Sequence, residues 1–288
     1  MTYQALWQSL TDQYDESEAK DITRLVLESR FGLTLTDIAL GKVEQLEPAD
    51  EQLLRDLFAG LRDGQPVQYV LGEAWFYGRR FHVEPGVLIP RPETEELCHL
   101  VLAGLPSTWK GIILDIGSGS GCIAVTLAAE RELASVTAWD LSPHALAVAQ
   151  GNAKLIGVAN DHSLQQPLKG VVFRQVDALN APADEEQWDI IVSNPPYVCE
   201  QEKALMRKNV LDFEPPEALF VPDEDPLRFY RAIGRYATRA LKAGGQLFFE
   251  LNERLANETK ELLAGMGLAN IIIYKDQYGK DRFISACK

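Results

Sequence analysis

The amino-acid sequence predicts an α/β fold in which a doubly wound, mostly parallel sheet follows a small helical bundle. From residue 111 onward, short apolar runs alternate with segments of helical periodicity, which is typical of parallel strands joined by helices. The last two strand-like runs, residues 271–274 and 282–285, are joined by a turn containing Gly279 and indicate a closing antiparallel hairpin. Residues 1–64, by contrast, show apolar positions only at helical spacing.

The chain therefore divides into three predicted segments. Its 288 residues, 46% of them apolar, provide enough core for two domains. We expect a helical domain at residues 1–64, acting in substrate docking or as a lid, a β-hairpin linker at 65–88, and the main domain at 89–288. The linker is inferred from β-rich runs between residues 66 and 83, on either side of the turn Tyr77-Gly78-Arg79-Arg80.

Composition argues against several classes of function. There is no run of 18 apolar residues, and no basic stretch precedes an apolar one at the amino terminus, so we expect a cytoplasmic protein without a membrane segment. A formal charge of -14 opposes extended binding to nucleic acid, although it does not exclude a local basic patch. The cysteines and histidines lack metal-ligand spacing, so neither a metal site nor a disulfide framework is expected. These residues are Cys98, Cys122, Cys199, Cys287, His82, His99, His144 and His162.

The main domain begins with a proline-marked element, Pro90-Arg91-Pro92-Glu93-Thr94-Glu95. Its two prolines force an extended segment, and Thr94, followed by acidic residues, is predicted to open a helix. Arg91 and Glu93 belong either to a capped linker or to the wall of a pocket.

A glycine-rich loop follows the first predicted strand, residues 112–115. The loop is Ile116-Gly117-Ser118-Gly119-Ser120-Gly121, and a buried helix continues from Cys122. Glycines let the backbone turn tightly, approach a ligand closely and present helix-terminal amides. The strand before the loop, the helix after it and a second strand ending in Asp140 give this otherwise weak motif the context of a cofactor site.

Acidic residues lie at or near the ends of the first three predicted strands. Asp140 is at the distance of the carboxylate that accepts from ribose hydroxyls, which fits a nicotinamide cofactor or S-adenosylmethionine. Asp115 favours a cationic amino-acid moiety over a pyrophosphate, and Asp177 is placed to accept from an adenine amino group. Each carboxylate alone fits a solvated strand end, but together they favour a ligand that carries a sulfonium and an ammonium.

The fourth predicted strand, residues 190–193, stops abruptly at Asn194-Pro195-Pro196-Tyr197. The prolines end the strand in a stiff, extended turn at its carboxyl end, where open α/β sheets bind ligands. The side-chain carbonyl of Asn194, the backbone carbonyl of Pro195 and the face of Tyr197 form a predicted site for a planar amide or amino group. The alternative is a turn that only ends the strand.

The rest of the chain completes the sheet. Residues 198–225 form a long acidic loop with prolines, which we interpret as a candidate substrate lid. A helix over residues 227–241 is predicted to stop at Gly244-Gly245, before a fifth strand at 246–250. After one more helix, at 255–266, the closing hairpin gives the plan of class I, Rossmann-like, S-adenosylmethionine-dependent methyltransferases.

These motifs together resemble the HemK/PrmC-type protein glutamine methyltransferases, which modify the Gly-Gly-Gln loop of peptide chain release factors. The likeness runs over residues 66–282, and the helical amino-terminal domain also fits. Its discriminating element is the proline-marked one, because Asn-Pro-Pro-Tyr also occurs in DNA adenine and some ribosomal RNA guanine methyltransferases. A departure is Glu250-Leu251-Asn252, where the family more often has glycine third, which puts the local turn in doubt. Further matching elements are Phe213-Glu214-Pro215, Lys275-Asp276 and Asp281-Arg282.

The resemblance implies an enzyme of translation termination that transfers a methyl group from S-adenosylmethionine to the side-chain amide nitrogen of that glutamine. It implies a cofactor site at the glycine loop and the strand ends, and a glutamine site on the fourth strand's end, where Asn194, Pro195 and Tyr197 are catalytic. The expected cofactor-binding residues are Asp115, Gly117, Ser118, Gly119, Ser120, Gly121, Asp140, Asp177, Ala178 and Asn194, and the expected substrate-binding residues are Asn194, Pro195, Pro196 and Tyr197.

We expect a monomer whose partner is a release factor, with no stably bound nucleic acid, no membrane and no metal. Three alternatives stay open: methylation of a glutamine in a ribosomal protein, amino-group methylation of a nucleic acid, and a catalytically idle partner-binding module. A nucleic-acid methyltransferase needs a basic track and a target-recognition insertion, and the sequence suggests neither.

Overall fold

A computed structural model describes residues 1–159 and 170–288; the predicted absence of a metal role for His162 falls outside this described part. The chain forms two compact units. One consists of Met1–Glu73 with Arg207–Phe213, and the other of Ala74–Met206 with Glu214–Lys288. The boundaries expected at residues 64 and 88, and the docking or lid role of residues 1–64, stay predictions.

The first unit is helical, as its sequence pattern predicts. Helix α2 begins where the side chain of Asp15 accepts from the amide of Glu18, at 2.9 Å, and ends at Gly32, whose φ of 64° suits glycine. Leucines and aromatic residues from the helices, such as Leu54 and Phe58, are completely buried in one cluster. The helices are α1 (Tyr3–Gln8), α2 (Glu16–Phe31), α3 (Leu35–Ala39), α4 (Pro48–Arg62) and α5 (Val67–Leu71).

Helix α5 corrects the prediction of a β-rich run from residue 66. Pro66 supplies an extended start and Gly72, with a φ of 66°, a left-handed end, so the five residues between them form one helical turn. Packing overrides the strand preference of valine and tyrosine here, because Val67 and Leu71 both enter the core of the first unit. The hairpin that follows, β1 (Glu73–Phe76) and β2 (Arg79–His82), is confirmed.

The remaining elements form the main sheet, its covering helices and a folded insertion. In chain order they are α6 (Pro92–Ala103), β3 (Ile112–Ile116), α7 (Cys122–Glu130), β4 (Ser135–Asp140), α8 (Pro143–Ile156), β5 (Gly170–Gln175), β6 (Trp188–Ser193), β7 (Val198–Cys199), α9 (Lys208–Phe213), α10 (Pro216–Leu219), β8 (Phe220–Val221), α11 (Arg228–Ala240), β9 (Leu241–Glu250), α12 (Ala256–Gly265), β10 (Ala269–Lys275) and β11 (Asp281–Cys287).

The seven-stranded sheet has the order β10-β11-β9-β6-β3-β4-β5, and β11 alone among these strands runs antiparallel to the others. This confirms the class I methyltransferase fold. The chain winds outward from β3 through β4 and β5 on one side, and through β6 and β9 on the other. The carboxyl ends of β3 and β6 therefore meet at the switch point, where such sheets bind ligands.

Each face of the sheet is covered by its own apolar core. Helices α6, α7 and α8 cover one face over residues such as Leu97 and Ile123. On the other face, α11 and α12 enclose an aromatic cluster in which the Trp188 indole donates to the hydroxyl of Tyr236 at 2.6 Å. Both faces are buried, which explains why these strands read as continuous apolar runs.

Three other predicted elements differ in detail. Helix α6 begins at Pro92 rather than Thr94, because a proline is well accommodated at the first position of a helix. Helix α11 ends at Ala240, and Gly244 and Gly245 lie within β9, at an irregularity in its pairing with β6. The loop expected at residues 198–225 is a folded insertion containing β7, α9, α10 and β8, and its helix α9 belongs to the first unit.

Within the described residues, the structure contains no helix with the length and apolar character needed to cross a membrane.

Candidate active site

A cavity of about 380 Å³ opens at the carboxyl ends of β3, β4 and β6. This volume lies within the range of roughly 300 to 1,000 Å³ typical of small-molecule sites. Asp115, Gly121 and Tyr197 do not line it, although all three belong to the predicted site. The predicted residues that do line it are Gly117, Ser118, Gly119, Ser120, Asp140, Asp177, Ala178, Asn194, Pro195 and Pro196.

The glycine loop forms one side of the cavity. The amides of Gly117 and Ser118 both donate to the carbonyl of Trp139, at 2.8 and 2.9 Å, which fixes the loop against β4. Gly121, with a φ of 80°, lies directly against α8: a Cβ atom there would be 2.9 Å from the Cβ of Ala149. The lack of a side chain at Gly121 therefore lets the loop pack closely against α8, on the side away from the cavity.

Asp140, the last residue of β4, faces the loop. One of its carboxylate oxygens accepts from the amide of Gly119 at 2.8 Å, and the other accepts from the amide of Ser142 at 2.9 Å. Burial raises the pKa of this carboxyl, and these backbone hydrogen bonds oppose the rise. The carboxylate is thus fixed at the cavity wall with lone pairs left for further donors.

Asp177 also lines the cavity, but its carboxylate serves the local turn. Its Oδ1 accepts from the amide of Leu179 at 2.8 Å, and its Oδ2 accepts from the side chain of Asn180 at 2.6 Å. These bonds fix the Asp177-Ala178 segment at the cavity wall. Acceptance from an adenine amino group stays a prediction.

Asp115 lies one residue before the end of β3, beneath the glycine loop, and is completely buried. Its Oδ2 accepts from the amide of Ala124 at 3.1 Å, while no donor among the described residues reaches its Oδ1. Burial raises the pKa of this carboxyl to about 8, and the neighbouring Asp140 adds to the rise. A cation close to Oδ1 would reverse this by favouring the ionised form.

The Asn194-Pro195 step forms the opposite side of the cavity, where β6 ends. The side-chain Nδ2 of Asn194 donates to the hydroxyl of Thr94 at 3.1 Å. Among the residues that the structure describes, none donates to the Oδ1 of Asn194 or to the carbonyl oxygen of Pro195. Two consecutive residues of the cavity wall therefore each carry an available acceptor.

Behind Asn194 lies a buried chain of hydrogen bonds. The Thr94 hydroxyl donates to one carboxylate oxygen of Glu250 at 2.8 Å, and the Tyr197 hydroxyl donates to the other at 3.0 Å. Burial raises the pKa of Glu250, and its two hydroxyl partners together with Arg282 oppose the rise. Tyr197 packs against the aromatic core of the α11 side, so stacking of its ring on a substrate stays a prediction.

Asn252, at the departure from the family pattern, holds the same segment. Its Nδ2 donates to the carbonyl of Tyr197 at 3.2 Å and to a carboxylate oxygen of Glu202 at 2.8 Å. The φ of Asn252 is -71°, an ordinary value for any residue, so this turn does not require glycine.

The proline-marked element closes the cavity on a third side. Arg91 lines the cavity and pairs with Glu214, whose side chain is buried and also accepts from the amide of Ile89 at 3.2 Å. Of the two predicted wall residues Arg91 is thus at the cavity, whereas Glu93 is not among the lining residues. Pro215, which follows Glu214, is part of the wall as well.

Sequence reasoning missed Thr94 and Glu250 as parts of the site. The sequence pattern at Thr94 predicts only a helix start, although Thr94 lies inside the most discriminating motif. Glu250 ends a strand that is otherwise apolar, Leu247-Phe248-Phe249, in a sheet whose other strand ends carry site residues. A charged residue at that position was the available signal.

Comparison with known proteins gives matches along the whole chain. Residues 4–72 match the PrmC N-terminal domain family, and residues 80–212 match the Methyltransferase small domain family. A release factor glutamine methyltransferase from Bacteroides thetaiotaomicron is 41% identical over 97% of this chain and 96% of its own length. One from Flavobacterium psychrophilum is 42% identical over 96% of this chain and 94% of its own length.

More distant matches agree with these. A release factor glutamine methyltransferase from Streptococcus pneumoniae is 36% identical over 93% of this chain and 92% of its own length. Among solved structures, a methyltransferase from Pyrococcus furiosus covers 74% of this chain and 90% of its own, with a TM-score of 0.51 and 19% identity. That likeness concerns the fold.

Proposed function

This chain belongs to the family of release factor glutamine methyltransferases, and we propose that the cavity at the ends of β3, β4 and β6 is its active site. The enzyme uses S-adenosylmethionine to methylate the side-chain amide of a glutamine in peptide chain release factors. The observation that carries the site assignment is the pair of available acceptors, Asn194 Oδ1 and the Pro195 carbonyl, on two residues that line the same cavity as the glycine loop.

The residues of the β3 and β4 ends fit S-adenosylmethionine. Gly117 and Gly119 leave the cavity wall free of side chains, and the carboxylate of Asp140 is fixed for donors such as ribose hydroxyls. The Oδ1 of Asp115, buried without a donor, suits a nearby cationic moiety, since a cation would favour its ionised form. The cofactor supplies an electrophilic methyl group on a sulfonium.

The Asn194-Pro195 step is proposed to hold the glutamine amide. An amide nitrogen is a poor nucleophile because its lone pair is delocalised into the carbonyl. Acceptance of its two hydrogens by Asn194 and Pro195 increases the electron density on nitrogen and fixes its direction. The amide formed by attack is protonated and loses its proton readily, so a strong base is not needed. Catalysis rests on orientation and the exclusion of water.

We also propose that the enzyme acts as a monomer in the cytoplasm, on protein rather than on nucleic acid. The charge of -14 supports a protein substrate, and the four free cysteines suit a reducing compartment. Light scattering on the purified protein tests the monomer; a stable dimer at micromolar concentration would contradict it.

Residues 1–64 are proposed to dock the release factor. Deleting them is expected to lower kcat/KM for the whole release factor but not for a short peptide carrying Gly-Gly-Gln. Circular dichroism provides the folding control. Equal losses on both substrates would show a purely structural domain.

Transfer of a labelled methyl group tests the function. We expect labelling of a purified release factor and none of the same factor with the glutamine of Gly-Gly-Gln changed to asparagine. Ribosomal proteins and DNA serve as competing substrates. Labelling of either one in preference to the release factor would overturn the proposed substrate.

A further inference from the structure

The side-chain amide of Asn194 can face the cavity in two ways. Its oxygen and its NH₂ group occupy nearly the same space, but one accepts a hydrogen bond and the other donates. The proposed reaction needs the oxygen toward the cavity, because an NH₂ group there would meet the hydrogens of the substrate amide. Something in the protein must therefore distinguish the two orientations.

The buried hydrogen-bond chain makes this distinction. Both carboxylate oxygens of Glu250 accept, one from the Tyr197 hydroxyl at 3.0 Å and the other from the Thr94 hydroxyl at 2.8 Å, so the single proton of Thr94 is directed to Glu250. Toward Asn194 the same hydroxyl can then only accept, which requires the NH₂ group of Asn194 at the 3.1 Å contact. The Oδ1 of Asn194 is left facing the cavity.

We propose that Glu250 is a positioning residue that acts through Thr94 to set the direction of the Asn194 amide for catalysis. The inference rests on the proposed role of Asn194 as an acceptor for the substrate amide. It assigns to Glu250 and Thr94 a part in the reaction, although Glu250 does not line the cavity.

The surroundings of Glu250 suit this role. Glu250 is 2% exposed and Thr94 3% exposed, so solvent does not compete for their hydrogen bonds. The Tyr197 hydroxyl occupies the second carboxylate oxygen at 3.0 Å, and the Tyr230 hydroxyl donates to the backbone carbonyl of Glu250 at 3.2 Å. These contacts fix the carboxylate, and a chain of buried hydrogen bonds is mutually strengthened.

Glu250→Gln tests the inference because it reverses the chain of donors. The Tyr197 hydroxyl continues to donate to the side-chain oxygen, which turns the new NH₂ group toward Thr94. Thr94 then accepts from Gln and donates to Asn194, whose NH₂ group is forced toward the cavity. We expect kcat for release factor to fall about 100-fold, by analogy with the loss of one preorganised partner.

Thr94 variants provide the matched controls. Thr94→Ser keeps the hydroxyl and should retain near-normal kcat. Thr94→Val removes it and frees the Asn194 amide to adopt either orientation, so the expected loss is about 3- to 10-fold, the effect of one hydrogen bond. Calorimetric affinity for S-adenosylmethionine should stay close to the wild type in each variant, whereas the melting temperature should fall in Thr94→Val, which leaves a buried oxygen of Glu250 without its donor.

The double variant that combines Thr94→Val with Glu250→Gln distinguishes a positioning role of Glu250 from a role in packing alone. Without the Thr94 hydroxyl, a glutamine at position 250 has no hydrogen-bonded connection to Asn194. The double variant should therefore resemble Thr94→Val and exceed Glu250→Gln in kcat by about 10- to 30-fold. Additive or greater losses would overturn the inference, as would near-normal kcat of folded Glu250→Gln. Asn194→Ala separates a failure of the proposed active site from a failure of this inference. Near-normal turnover of Asn194→Ala would overturn the proposed site itself. A loss of turnover in Asn194→Ala together with normal turnover in Glu250→Gln would overturn only the positioning role of Glu250.

Discussion

The two sides of the cavity hold their polar groups in different ways. On the β4 rim, defined as residues 117–120, 140–142 and 177–178, backbone amides provide most of the partners of the carboxylates. Asp140 accepts from an amide two positions away and from another 21 positions away. On the β6 rim, residues 194–197, the partners are side chains far along the chain. Thr94 is 100 positions from Asn194 and 156 from Glu250.

This difference matches the role that we propose for each rim, namely cofactor binding at the β4 rim and substrate binding at the β6 rim. A cofactor with several polar groups is bound by a loop whose own backbone sets the geometry, and such a loop works wherever a strand precedes it and a helix follows. A substrate amide needs two acceptors oriented to within a small angle. That orientation is set by a buried network that the finished fold assembles from α6, β6 and β9.

The largest effect should come from Asn194→Ala, which removes an acceptor from the β6 rim. We expect a normally folded protein in which the affinity for S-adenosylmethionine falls much less than turnover does, with kcat lower by about 100-fold or more. Single-turnover methyl transfer and calorimetry measure the two quantities separately.

Asn194→Asp sharpens that result. It keeps an acceptor but adds a negative charge near the proposed sulfonium position, so it should bind the cofactor at least as well while transfer stays impaired. Near-normal turnover of folded Asn194→Ala would remove the β6 rim from the active site.

The same difference explains what the sequence could predict. The glycine loop, Asp140 and the Asn194-Pro195 step can be recognised from the local order of strand, turn and helix. Apart from Gly121, their residues line the cavity. The sequence does not identify Thr94 and Glu250 as site residues, because the role of each depends on its contact with the other. That contact forms only when the fold, with its strand order β9-β6-β3, brings their elements together. Likewise, the β-rich composition of residues 67–71 predicts a strand, whereas packing in the first unit, between the ends set by Pro66 and Gly72, favours the helix α5.

Asp115 is the exception on the cofactor side, since its buried carboxyl lacks a partner at Oδ1, and it predicts a pH effect. Its pKa rises from an ordinary value near 3.8 to about 8 in the folded chain, so folding is favoured by the protonated form. That contribution is complete below about pH 4 and is lost as the pH rises through 8, at about 1.4 kcal/mol per unit.

Asp115→Asn removes this titration. Relative to the wild type, the variant should gain stability between pH 6 and pH 8, by roughly 2 kcal/mol, because the slope halves as the pH reaches the folded pKa of about 8. Thermal unfolding of both proteins at the two pH values measures it. An equal change in stability between pH 6 and pH 8 in both proteins would mean that Asp115 is ionised, or exposed to water, across this range.

A smaller effect is expected for Asp140→Ala, which breaks the β4 rim. Charge-assisted hydrogen bonds from ribose hydroxyls contribute roughly 1.5 to 3 kcal/mol, so affinity for S-adenosylmethionine should weaken about ten- to a hundredfold. Because the β6 rim is untouched, kcat at saturating cofactor should recover most of its value. Unchanged affinity would show that the cofactor site is misplaced.

The smallest effect should come from Asn252→Ala, which removes the two hydrogen bonds from its side chain to the Tyr197 carbonyl and to Glu202. Asn194 keeps its own partner Thr94, so the β6 rim should lose stiffness rather than orientation, and kcat/KM for release factor should fall by about 3- to 10-fold. Asn252→Gly removes the same hydrogen bonds and also makes the backbone of the turn more flexible. The difference in kcat/KM between the two variants therefore measures the effect of backbone flexibility in this turn. A fall in cofactor affinity in either variant would show that the two rims are not independent. A loss of turnover as large as that of Asn194→Ala would mean that Asn252, rather than Thr94, holds the β6 rim in place.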